Sequence, residues 1–130
     1  MEIIIGFIGI ILTVFIIKKT FYSKPNEEFK HLRVQFKSTQ RLSLEVQKEL
    51  EELITKNNAW DNEIFPGIKY GSYLEEMKQS FKNNLSNDLF AKLEELNLTK
   101  SNIVSMTKSL ENQFGALSQM QSQIKILLRQ

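Results

Sequence analysis

Residues 99–128 read TKSNIVSMTKSLENQFGALSQMQSQIKILL, and a seam of alternating three- and four-residue spacings runs through them: Ile103, Met106, Leu110, Gln113, Leu117, Met120, Ile124 and Leu127. Seven of these eight positions are apolar, which over four heptads predicts a long helix packed in coiled-coil fashion, with Gln113 as a polar position that sets register. A helix with one apolar stripe requires a partner. A second stretch of similar length, from Asn26 to Asn57, supplies candidate seam positions Phe29, Leu32, Phe36, Thr39, Ser43, Val46, Leu50 and Leu53, polar in the middle. The expectation is that this helix meets the C-terminal one antiparallel, through the middle segments, or that the same helix of another subunit does so.

Between the two lies AWDNEIFPGIKYGSY, residues 59–73, which gathers Trp60, Phe65, Tyr70 and Tyr73 around Pro66, Gly67 and Gly71. Pro-Gly suits the centre of a type II turn, because proline fixes one dihedral and glycine supplies a positive one. The aromatics make this loop either a partner-binding tip or a plug whose rings close the end of a helical bundle. Tyr73, Met77, Phe81 and Leu85 then predict a short amphipathic helix from Ser72. Ser86 is placed to cap a second one carrying Leu89, Phe90, Leu93 and Leu96.

At the other end, Ile3–Ile17 reads IIIGFIGIILTVFII, without a charge and with Thr13 as its polar residue. Ile3, Ile4, Ile5, Phe7, Ile8, Ile10, Ile11, Leu12, Val14, Phe15, Ile16 and Ile17 predict a membrane anchor. At 1.5 Å per residue the run covers roughly 23 Å, short of the ~30 Å hydrocarbon core, so Lys18 and Lys19 must snorkel while Phe21 and Tyr22 sit at headgroup depth. Gly6, Gly9 and Thr13 offer a small-residue face for another membrane helix. A cleaved signal is disfavoured, because Met1 and Glu2 form no basic leader and no small-residue cleavage site precedes the lysines. Lys and Arg all follow the span, which predicts an outside N-terminus and a cytoplasmic remainder.

The 130 residues therefore divide into an anchor (1–20), a juxtamembrane linker (21–25), an amphipathic helix (26–58), an aromatic Pro/Gly loop (59–72), short helices (73–98) and a C-terminal coiled-coil helix (99–130). The predicted class is all-α: a single membrane helix followed by a helical hairpin or coiled-coil bundle. The net charge of +2 hides a change of sign, since residues 18–41 hold seven basic against two acidic groups and residues 42–63 hold two basic against six acidic. The basic run either orients the anchor or attracts anionic lipid.

Catalytic chemistry is poorly supplied. With no cysteine and His31 as the lone histidine, thiolate sites and two-histidine metal sites are excluded. No phosphate-binding or nucleophile-elbow glycine motif occurs, and Asp61 with Glu63 is a commonplace acidic pair in a polar loop. No cofactor and no small-molecule substrate are expected.

The expected function is a non-enzymatic membrane-anchored scaffold or complex subunit, with membrane lipid as one partner and itself or another helical protein as the second, through the C-terminal coiled coil. One alternative places a helix-turn-helix at Asn97, with Lys100, Ser101, Asn102, Ser105 and Lys108 on the recognition helix. The near-zero charge of residues 20–130 leaves little electrostatic footprint, so a nucleic-acid partner is disfavoured. Another alternative reverses the topology, as in an envelope or lysis-type accessory protein.

Overall fold

The computed structural model describes residues 26–129. The anchor residues, the packing face Gly6, Gly9 and Thr13, and the interface residues Lys18, Lys19, Phe21 and Tyr22 lie outside the described residues. Among the described residues no helix is long and apolar enough to cross a membrane.

The fold is all-α apart from one small hairpin. Helix α1 (Asn26–Asn57) is followed by strands β1 (Glu63–Phe65) and β2 (Ile68–Lys69), then α2 (Tyr70–Asn84), α3 (Asn87–Glu95) and α4 (Lys100–Leu128). Glu27 and Glu28 lie in the first turn of α1 and Lys56 in its last, each complementing the helix dipole. A Schellman motif ends the helix. Asn58 takes a left-handed conformation (φ 49°), its amide donates to Thr55 O at 3.4 Å, and the Ala59 amide donates to Ile54 O at 3.0 Å.

Of the two arrangements expected, a helical hairpin or a bundle, the described residues form a bundle, of three legs. The register of α1 against α4 is fixed by Thr39 Oγ1 donating to Leu110 O (3.4 Å), Gln121 Nε2 donating to Glu49 Oε1 (2.8 Å) and Lys56 Nζ donating to Leu128 O (2.6 Å). Residue numbers rise together along both helices, so α1 and α4 are parallel, not antiparallel. The antiparallel leg is α2 followed by α3: Glu51 pairs with Lys78 at 2.9 Å, Gln40 Nε2 donates to Leu85 O at 2.7 Å, and Arg33 pairs with Glu94 at 3.3 Å. The physical reason is that residues 70–95 are too helical and too apolar to serve as a connector. They return the chain to the start of α1, and α4 must then run up again.

Ser86 and Thr99 cap α3 and α4, their hydroxyls accepting the amides of Leu89 and Asn102 at 3.1 Å each. Every seam position read for α1 is buried, the polar Thr39 and Ser43 included. In α4, Ile103 through Ile124 are buried likewise, and Leu127 is half-buried. The C-terminal seam is thus covered by the chain's own helices.

The core divides in two. One apolar cluster joins Leu42, Val46, Leu50 and Leu53 to Tyr73, Met77, Leu117, Met120 and Ile124 near the hairpin. The other joins Phe29, Leu32 and Phe36 to Phe90, Leu93, Ile103, Met106 and Leu110 near the start of α1. Between them is a polar waist of buried Thr39, Ser43 and Gln47 from α1, Ser80 and Asn84 from α2, and Ser109 and Gln113 from α4. Gln47 bonds Ser43 at 3.1 Å and Asn84 bonds Ser80 at 3.4 Å. Gln113, fully buried, has no hydrogen-bond partner for either end of its amide among the described residues.

Candidate interaction surface at the hairpin end

The hairpin closes one end of the bundle. β1 and β2 pair antiparallel (Glu63 with Lys69, Phe65 with Ile68), and Gly67 at φ +81° occupies the third position of the turn begun by Phe65, as the Pro-Gly signal predicts for type II. Such a turn splays its strands, in keeping with a ladder of two and three residues. Glu63, one of the two loop acids, is occupied locally, its carboxylate accepting the Gly67 amide at 3.4 Å.

α2 begins at Tyr70, within the stretch read from sequence as loop, because the preceding turn supplies partners for its first amides. Tyr70 N–H donates to Asn62 O at 2.8 Å and Gly71 N–H to Trp60 O at 3.0 Å. Gly71 is required there for space. A Cβ on it would overlap the Trp60 indole, which lies against the helix backbone.

The four aromatics expected to share one role are split. Tyr73 is buried at 1% exposure, with the Phe65 ring edge-on to it at 5.7 Å between centroids. Tyr70 is half-buried against the same cluster, whereas Trp60 remains 46% exposed. Tyr73 and Phe65 plug the bundle and Trp60 faces outward.

Burial first, and the Glu76 carboxylate second, hold the Tyr73 phenol well above its ordinary value. A folded-state value raised above the unfolded one stabilises the fold below about pH 10, and that contribution is lost as pH rises further. The melting temperature is therefore expected to fall between about pH 9 and about pH 11 more steeply in the wild type than in Tyr73→Phe. Below that window Tyr73→Phe should be neutral or slightly stabilising, since the hydroxyl has no hydrogen-bond partner among the described residues. Parallel pH profiles would show that the phenol does not carry the effect.

Beside the plug lies an apolar notch of about 260 Å³ lined by Ile64, Phe65, Met120, Gln123, Ile124, Ile126 and Leu127. Ile126, 55% exposed, stands on its rim. The seam heptad missed Ile126, which falls between seam positions. Its signal was the run Ile124, Ile126, Leu127, Leu128, more apolar than one stripe needs. The notch can accept an apolar side chain and offers no titratable pair for chemistry. Among the described residues no cluster of three or more acidic or histidine side chains could hold a metal.

The other candidate is the turn at Asn97. Leu96 and Thr99 are extended (φ −81°, ψ 145° and φ −77°, ψ 162°), and among the described residues the non-glycine residue with positive φ is Asn58. Lys100, Ser101, Ser105 and Lys108 are exposed, but Asn102 is half-buried, and α4 is committed to the core from Ile103 onward. His31 is exposed and lines a shallow pocket with Glu28, Val104, Thr107, Lys108 and Glu111. No protein-family model, curated protein or solved structure matches the chain.

Proposed function

We propose that the chain is a non-enzymatic, single-pass membrane protein that recruits a helical partner through the hairpin end of a self-contained, three-legged helical bundle. The observation that carries this reading is the apolar notch, with Ile126 exposed on its rim, on a bundle whose coiled-coil seam is already covered. Partner binding through Ile103–Ile124 would require opening the core. Binding through the last turns of α4, where Leu127 and Ile126 meet the hairpin, requires no opening. The charge-free run from Ile3 to Ile17 supports membrane attachment, and the lysines after it support a cytoplasmic bundle.

Two measurements test the two halves. The full chain should remain in the membrane fraction after alkaline carbonate extraction, and Ile10→Lys should release it; release of the wild type sinks the anchor. Purified in mild detergent through a C-terminal tag, the wild type should retain a partner that Ile126→Glu loses without a change in melting temperature. A partner held equally by both would move the interface away from the notch. Protease access to the C-terminus in intact cells separates this topology from the reverse one.

A further inference from the structure

α1 carries a second stripe, opposite its core seam. Lys30, Val34, Lys37, Arg41, Leu44 and Lys48 follow spacings of four, three, four, three and four, which places them along one line of the helix. All six are exposed. Val34 and Leu44 are 63% and 50% exposed, and they are the two large hydrophobics that α1 leaves in the open.

Three of the helix's acidic residues are engaged by other helices, while exposed Glu27 and Glu52 lie beyond the two ends of the stripe. Glu45 and Glu49 lean toward α4, where Gln121 Nε2 donates to them at 3.4 and 2.8 Å. Glu51 is paired with Lys78 of α2. Along its own line the stripe carries no acidic residue from Lys30 to Lys48, over roughly 27 Å of helix. Lys37 also reaches toward α3, lying 4.8 Å from the Phe90 ring centroid. Lys30, Arg41 and Lys48 have no ion-pair partner among the described residues.

Val34 and Leu44 stand among these cations, about 15 Å apart along the helix. Long cationic side chains flanking shallow aliphatic ones match a surface that is negative outside and apolar just beneath. We propose that this face of α1 rests on an anionic phospholipid surface, so that the bundle lies along the bilayer instead of standing away from it. The inference rests on the membrane placement of residues 1–20. Ile17 precedes Asn26 by nine residues, a tether of at most about 31 Å, which keeps the start of α1 within reach of the headgroups.

The absence of native cysteine permits single labels. The full chain is reconstituted into vesicles of phosphatidylcholine, alone or with about one third phosphatidylserine, carrying a fluorophore at Leu44→Cys or at Gln119→Cys on exposed α4 surface; quenching by nitroxide-bearing lipid is read. Quenching at residue 44 should be about fivefold stronger with phosphatidylserine, should fall in high salt, and should vanish in Arg41→Glu/Lys48→Glu, while residue 119 stays unquenched throughout. The charge variant lies on the surface, and an unchanged helical circular dichroism spectrum verifies its fold.

A label at 44 that stays in water on both vesicles overturns the inference, as does equal quenching at both sites or in both lipids. Equal protection of residue 44 by soluble polyglutamate on neutral vesicles would assign the face to acidic protein instead. Failure of the anchor reads differently, as loss of the chain from neutral vesicles. A chain lost from them that still docks on phosphatidylserine through residue 44 upholds the inference without the anchor, and one that docks on neither overturns both.

Discussion

Leu117→Asp is expected to abolish the cooperative thermal transition and most of the helical circular dichroism signal, in dilute solution and independently of protein concentration. Leu117 is fully buried among Val46, Leu50, Tyr73 and Met120 in the cluster nearest the hairpin, with α1 and α2 both packed against it. An aspartate there either buries an unpaired charge or takes up a proton, and it also forfeits the packing of a leucine. Together these changes cost more than about 4 kcal/mol, against a total stability of roughly 5 to 15 kcal/mol for a domain of this size. If the seam were instead an interface between chains, the substitution would lower the mass by light scattering while each chain kept a folded transition. That outcome would contradict the intrachain bundle.

Gln113→Leu is expected to act in the opposite direction. The Gln113 amide is fully buried with neither end bonded among the described residues, and Asn84 Oδ1 and Ser109 Oγ of the same waist are likewise without a partner. Replacing the amide with an aliphatic group of similar volume removes a desolvated donor and acceptor. The urea midpoint should rise by the equivalent of about 1 to 3 kcal/mol with the slope unchanged. A lower midpoint would show that ordered water satisfies the amide and that the waist is a built hydration site.

The waist also explains which part of the fold the sequence could carry. All eight seam positions of α1, and those of α4 from Ile103 to Ile124, are buried, because a stripe that must be covered shows in periodicity whatever covers it. Direction did not show in the same way. Thr39 and Ser43 lie midway along α1 and Gln113 lies midway along α4, so the polar positions meet whether the helices run parallel or antiparallel. What decides direction is that α2 and α3 form a complete leg, broken at Leu85 and Ser86 yet long enough to return to the start of α1.

At the candidate surface, Pro66-Gly67 predicted its turn from chemistry that belongs to two residues. The division of labour between Tyr73 and Trp60 depends on which face of α2 meets the core. That follows from the helix starting at Tyr70, which in turn depends on carbonyls of Trp60 and Asn62 satisfying its first amides. Ile126 lies beside the seam, so the heptad periodicity does not mark it. Only the placed hairpin shows that it borders a notch.

An odd number of legs means that the chain leaves the bundle at the end opposite the one where it entered. Two legs, or four, would bring Arg129 back beside Asn26; three carry it the length of α1 away, about 48 Å. If the bundle is tethered at Asn26 and rests on its side as proposed, the hairpin and the notch would ride on a radius of that length about the tether. Leg count would then set a working distance. Lengthening or shortening all three legs by a heptad would move the notch by about 10 Å relative to Asn26.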